Sequence, residues 1–342
     1  MKKMLTAITA LVLALALCAC AAPAAAPEAT GAPAAQQSTA AAQDTAAPAD
    51  TAAPAGKLKV GVIQLTQHAA LDAACEGFVE GLEGSGLDVE IDVQNANGEQ
   101  AICSTIATKF VNDGVDLIMA IATPAAQAAA QATKDIPILV TAVTDPASAG
   151  LVASNEAPGG NVSGTSDMNP VAEQVDLLIK LVPQAKTVGI MYCSSEDNSI
   201  LQAGMAQEAL EAKGLQVETF TVADSNEVQA VTQTAVGKVD ALYIPTDNLL
   251  ADTMATVSMV ATPAGVPVIC GESNMVNAGG LATYGISYKQ LGLQTAAQAV
   301  RILSEGADPA AMPIEYCSAS LELTVNQEIA DQLGIAIPAD LQ

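Results

Sequence analysis

Two doubly wound, Rossmann-like α/β lobes joined by a three-strand hinge are the fold class this sequence predicts, on three observations. Strand-like and helix-like stretches alternate from residue 58 onward. The strands are near-continuous apolar runs rich in Val, Ile and Leu, as in parallel sheets covered on both faces. Finally, the folded part contains itself twice, five blocks recurring in the same order roughly 120–130 residues apart.

Taken in order, the chain begins with an address. Lys2 and Lys3 form a basic start, residues 5–17 an apolar run of signal-peptide length, and Leu17-Cys18-Ala19-Cys20 its end. The run is too short for a stable membrane anchor. Its end resembles a bacterial lipobox, with Cys20 as the lipidated residue because small Ala19 precedes it. The expected signal peptide is therefore residues 1–19, the protein being held to the outside of a bacterial cell membrane through its N-terminal lipid; the alternative is plain secretion with cleavage near Cys20. Residues 20–56 are mostly Ala, Pro, Thr and Gln, a tract that cannot bury enough apolar surface to fold and reads as a disordered tether.

The repeat begins with LKVGVIQ (58–64), which answers to KTVGIMY (186–192). GLDVEIDVQNANGEQA (86–101) answers to GLQVETFTVADSNEVQA (214–230), and VDLIMAIATP (115–124) to VDALYIPTDN (239–248). IPILVTAVTD (136–145) answers to VPVICGESN (266–274), and GGNVSGTS (159–166) to GGLATYGIS (279–287). Two like lobes facing each other make a cleft. The expected division is 57–165 with 287–306 as the first lobe and 166–286 with 307–342 as the second. The chain then crosses after Thr165, after Ile286 and after a helix at 290–303.

The stretch 115–146 shows best how a site would arise. It reads as a strand (115–121), a turn at Ala122-Thr123-Pro124, an Ala- and Gln-rich helix and a second strand (136–143). Thr123 before Pro124 is a helix-start signal: a side-chain cap, then a proline whose missing N–H costs nothing in the first turn. Thr123, Thr144 and Asp145 thus fall just beyond strand ends, where ligands bind in open α/β sheets.

Composition removes several classes of function. The formal net charge is −25, and no Lys/Arg stripe offsets it, so nucleic acid is not an expected partner. One histidine cannot build a metal site or a triad. No GxSxG, HExxH, paired-Cys spacing or GKS/T phosphate loop occurs, and no cofactor is indicated. Cys75, Cys103, Cys193, Cys270 and Cys317 fall inside predicted helices or strands, which does not suggest a disulfide framework.

The segments IATPAAQAAAQATKDIPI, TAVTDP, GGNVSGTSDM, YCSSEDNS and YIPTDN resemble those of ABC-transporter substrate-binding lipoproteins of the tryptophan/tyrosine type. The likeness covers roughly residues 58–337. It implies the type I periplasmic-binding-protein fold and an extracytoplasmic receptor, and a monomer is expected because partners must reach both lobe faces. Such a receptor closes on a small molecule, an aromatic or other apolar amino acid, and hands it to an ABC permease in the membrane.

Candidate ligand contacts are the polar strand-end residues. In the first lobe these are Gln64, His68, Thr123, Thr144, Asp145 and Asp167. In the second they are Tyr192, Ser194, Ser195, Asn198, Thr246, Asp247, Asn248 and Glu272, with Tyr288 beside them. The turn at Thr123 offers backbone N–H groups and the positive end of a helix dipole to a carboxylate; otherwise its hydroxyl caps its own helix. Asp145, Asp247 or Glu272 would pair with an ammonium group or cap a helix. Tyr192 and Tyr288 would stack on a planar ligand or pack on their own lobe. His68 is a ligand contact or a surface residue.

Two other readings are open at this stage. One is a nucleoside- or sugar-binding receptor or sensor on the same fold. The other is a two-lobed racemase using a cysteine from each lobe; Cys193 and Cys270 sit near strand ends, but both fall in the second lobe.

Overall fold

The structure is a computed structural model that describes residues 56–341. The expected signal peptide, Cys20 and the tether as far as residue 55 lie outside the described residues. No helix among the described residues is long and apolar enough to cross a membrane.

In the first half, β1 (Leu58–Gln64), α1 (Ala69–Glu83), β2 (Val89–Asn95), α2 (Gln100–Asp113), β3 (Leu117–Ile121), α3 (Thr123–Ala132), β4 (Ile138–Val143) and β5 (Val162–Ser166) follow one another. The second half runs through α4 (Val171–Leu181), β6 (Thr187–Cys193), α5 (Asp197–Ala212), β7 (Gln216–Val222), α6 (Val228–Val236) and β8 (Ala241–Ile244). It continues with α7 (Asn248–Asp252), α8 (Met254–Ala261), β9 (Val268–Cys270), α9 (Ser273–Asn277) and β10 (Ala282–Gly285). The chain closes with α10 (Tyr288–Glu305), β11 (Glu315–Tyr316), β12 (Glu322–Val325) and α11 (Gln327–Leu333).

These strands form two six-stranded sheets, in the orders β11-β5-β4-β3-β1-β2 and β12-β10-β9-β8-β6-β7. The five repeated blocks occupy equivalent places in the two, β5-β4-β3-β1-β2 matching β10-β9-β8-β6-β7. Pairing is parallel throughout except at β12, which runs antiparallel to β10. In each sheet the strand order reverses beside the first strand, at β1/β3 and at β6/β8. Such a switch point leaves a crevice at the carboxyl ends of the strands.

Two predicted strands start later than expected, at Leu117 rather than 115 and at Ile138 rather than 136. A larger difference concerns the third crossing. Residues 307–316 stay with the first sheet instead of joining the second lobe: β11 pairs in parallel with β5, and Ser163 Oγ donates to Met312 O at 2.8 Å. The chain therefore crosses between β11 and β12, after Tyr316, rather than after residue 306. Two residues of β11 carry no apolar run long enough to announce a strand.

The first lobe closes its core with aliphatic side chains around Phe78 and Phe110, both fully buried. Ala125, Ala126 and Ala129 are also fully buried, and their small side chains let α3 lie close over the sheet. Helices α1 and α10 meet through glycines. A Cβ on Gly77 would stand 2.2 Å from Lys289 O, and one on Gly292 2.1 Å from Ala74 O. The second lobe buries one core on each face of its sheet, with Tyr243 on one and Met191 and Met254 on the other.

Candidate functional site

The carboxyl ends of β1, β3 and β4 face those of β6 and β8, and the groups between them are polar and buried. Gln202 on α5 donates from Nε2 to Thr144 Oγ1 at 3.1 Å, joining the second lobe to the first. Thr144 Oγ1 in turn donates to Asp167 Oδ1 at 3.1 Å, and the Tyr288 hydroxyl donates to Asp167 Oδ2 at 2.8 Å. Asp167 follows β5 directly, at the first crossing. At the rim, Gln127 Nε2 donates to Asp197 Oδ2 at 2.8 Å.

A second shared contact joins His68 Nε2 and Asn248 Oδ1 at 3.3 Å. Asn248 donates its own Nδ2 to Glu196 Oε2 at 2.6 Å, so its amide oxygen is the atom facing the ring. The His68 bond then requires a proton on Nε2. Burial lowers the His68 pKa, which favours this neutral form.

Several buried polar atoms have no partner within the protein: Thr123 Oγ1, Asn169 Oδ1, Asn198 Oδ1 and His68 Nδ1. Each lies beside the crevice in sequence and in bonding. The side chain of Asn169 donates to Asp167 O at 3.0 Å and reaches Thr246 Oγ1 at 3.4 Å. Asn198 donates to Glu196 Oε2 and to Thr246 O, both at 3.1 Å. A carbonyl and a carboxylate accept only, so the two amides cannot be flipped, and their bare atoms are oxygens. Buried acceptors of this kind are costly unless a donor meets them.

Of the two roles expected of Thr123, the cap of its own helix is not the one it takes. Helix α3 starts at Thr123, and Ala122 is the cap residue, with φ +80° and no side-chain bond. The Thr123 hydroxyl caps nothing; it is buried and bare at a helix N-terminus. Ala122 and Ala142, with φ +52°, hold left-handed backbone at the ends of the two central strands. Such strain in non-glycine residues collects at binding sites.

Beside this ring of groups lies a cavity of about 370 Å³ shared by both lobes. Thr66, Pro124, Ser195, Glu196 and Asn248 are among its lining. Its size is within the range of small-molecule sites.

Other expected contacts have structural roles. Asp247 is the N-cap of α7: Oδ1 accepts from Leu250 N at 2.8 Å, and Oδ2 from Cys193 N at 2.6 Å. Burial, then repulsion by Glu196, pushes its pKa up to about 7. Glu272 caps α9 through Asn274 N and Met275 N, both at 2.7 Å, and burial raises it to about 7. Asp145 Oδ1 accepts from Ala147 N, Ser148 N and Asn155 Nδ2, tying its own turn.

Gln64 donates to Thr66 O in the loop after β1 and to Asp72 Oδ1 on α1. Tyr192 packs against the second lobe's own core, because alternation along β6 puts it on the same face as Val188 and Ile190. Ser194 is exposed and donates to Val222 O; Ser195 is exposed at the cavity and contacts Cys193 Sγ at 3.1 Å. The crevice therefore brings together His68, Thr123, Thr144, Asp167, Asn198, Thr246, Asn248 and Tyr288.

Three further residues were missed. Asn169 follows Asp167 by two positions, Glu196 stands at the N-cap position of α5 with its carboxylate accepting from Asn248 and Leu249, and Gln202 lies one turn beyond Asn198 on the same helix face. That spacing from Asn198 was the signal available for Gln202.

Burial also raises the Asp167 pKa. None of the ion pairs among the described residues includes Asp167, Glu196, Asp247 or Glu272. The crevice thus holds carboxyl groups without a protein cation among the described residues.

A crevice between two lobes of this strand order is the hallmark of the type I periplasmic-binding-protein fold. Residues 59–342 match the family model "ABC transporter substrate binding protein", and the chain belongs to that family. It is similar to a tyrosine-binding protein of Clostridioides difficile (strain R20291), 41% identical over 280 residues, 81% of each chain. It is also similar to a crystal structure from Streptococcus pneumonia described as the ABC domain in complex with L-Trp. Identity there is 39%, the TM-score 0.81, and coverage 84% of this chain and 97% of that one. A ligand-free, open substrate binding protein with adhesive properties from Clostridium difficile is 45% identical, with a TM-score of 0.65 and coverage of 83% and 97%.

Proposed function

We propose that this protein captures a free aromatic L-amino acid outside the cell, closing its two lobes around the backbone of the ligand, and alters nothing chemically. The observation that carries this reading is the pairing of opposite demands within the crevice. On the first-lobe side, the bare Thr123 hydroxyl and the N-terminus of α3 suit a carboxylate. At the first crossing the Asp167 carboxyl and the bare oxygen of Asn169, with the bare oxygen of Asn198 on α5 of the second lobe, suit the three N–H bonds of an ammonium group. A zwitterion satisfies both sets at once, and neither sugars nor nucleosides carry that pair.

The superpositions support a closed arrangement. The open relative is closer in sequence, yet the complex with L-Trp superposes better. The tyrosine and tryptophan in the relatives' names set the expected ligand class. In this reading a permease receives the closed, monomeric form, and lipid on Cys20 keeps it beside the membrane.

Thermal-shift and calorimetric screening of amino acids, sugars and nucleosides tests the proposal. Saturable stabilisation by L-Tyr, L-Trp or L-Phe supports it. Stabilisation only by a sugar or nucleoside, or turnover of any ligand, overturns it.

A further inference from the structure

We propose that His68 is the residue that selects aromatic side chains carrying a hydrogen-bond donor, its bare Nδ1 accepting the phenol O–H of tyrosine or the indole N–H of tryptophan. This rests on the reading of the crevice as an amino-acid site. The ring has one fixed end. Asn248 must present its amide oxygen, because its Nδ2 is committed to Glu196 Oε2 at 2.6 Å. His68 therefore donates from Nε2 across the crevice at 3.3 Å. A neutral imidazole with its proton on Nε2 has an obligatory acceptor at Nδ1.

That acceptor is buried and has no protein partner, although His68 stands at the N-cap of α1, where local N–H groups lie close. The charged groups facing the ring are Asp72 on α1 and Asp252 across the crevice, and neither can donate to it as a carboxylate. Thr66 of the same loop, with Asn248 and Asp252, lines the shared cavity. A ligand whose backbone is held at Thr123 and Asp167 leaves its side chain to this end of the crevice. Both ligands in the relatives' names are aromatic with one N–H or O–H donor, so one acceptor serves either. Phenylalanine would leave Nδ1 bare, and a site with an unpaired buried polar group discriminates strongly.

Two substitutions divide the ring's functions. In His68→Gln the amide reaches the Nε2 position and can still donate to Asn248, but no acceptor remains at Nδ1. In His68→Asn the amide sits at the Nδ1 position, keeping the acceptor and losing the bond to Asn248. Calorimetric titration of the purified protein with L-Tyr, L-Trp and L-Phe reads the outcome. The wild type is expected to prefer L-Tyr and L-Trp over L-Phe by at least tenfold. H68Q is expected to erase that preference with L-Phe affinity held within about threefold, and H68N to weaken all three alike.

The inference is overturned if the wild type shows no preference, or if H68Q keeps it or weakens all three ligands equally. Should H68Q not fold, the wild type decides alone, and L-Phe bound within about threefold of L-Tyr and L-Trp overturns the inference. A wild type that binds none of the three fails the amino-acid reading instead.

Discussion

Gln202 Nε2 donates to Thr144 Oγ1 at 3.1 Å, and this buried bond joins one lobe to the other. Thr144 passes the contact on to Asp167 at the first crossing, so the contact between the lobes and the position of Asp167 are linked. Thr144→Val keeps the shape and removes both bonds. It is expected to weaken amino-acid binding about tenfold and to enlarge the liganded radius of gyration. Calorimetry with small-angle scattering checks both; unchanged affinity would remove the bond from the closing step.

Thr123 allows a cleaner separation of binding from folding. Its hydroxyl is buried without a protein partner, so replacing it costs the fold nothing. Thr123→Val should leave the unliganded melting temperature unchanged or raised while ligand affinity drops about tenfold. Thr123→Ser should retain most of the affinity. A melting-temperature loss in the valine variant that the serine variant does not share would show instead that the hydroxyl serves the fold.

Much of the architecture was legible because hydrophobic period and repetition are local properties of a sequence. Five matched blocks translate directly into two sheets of the same strand order. The third crossing was not legible, because β11 is two residues long and is held by pairing with β5 rather than by its own pattern. In the site, strand-end position identified which residues come near the crevice but not which way their acids point. Asp247, Glu272 and Asp145 cap nearby backbone because unpaired N–H groups lie within reach. The left-handed Ala122, which takes the cap position from Thr123, leaves no trace in an alanine codon.

Asp247 is accordingly a stability residue. Asp247→Ala removes the α7 cap and the bond to Cys193 N, and should destabilise the second lobe by about 2 kcal/mol. Denaturant unfolding measures it. If stability is unchanged while ligand affinity falls tenfold, Asp247 belongs to the site.

Acidity should stabilise the unliganded protein. Asp247 and Glu272 have folded pKa values raised to about 7, above those of the unfolded chain. The folded state therefore binds more protons between about pH 4 and pH 7, and stability is lost as pH rises through that window. His68, lowered by burial, opposes this as a single group, its contribution falling away as pH drops. The melting temperature is expected to be several degrees higher at pH 5.5 than at pH 8. A melting temperature that climbs steadily with pH over that range would show that these carboxyls are not buried.

The central claim is that the two lobes close on a single zwitterion, its carboxylate at Thr123 and its ammonium at Asp167, Asn169 and Asn198. Crystallography of the protein grown with L-tyrosine or L-tryptophan tests this most directly. The account predicts one ligand between the sheets, with its carboxylate within hydrogen-bond distance of Thr123 Oγ1 and its ammonium bonded to the Asp167 carboxyl. A ligand bound in reverse, or held away from these residues, would contradict it.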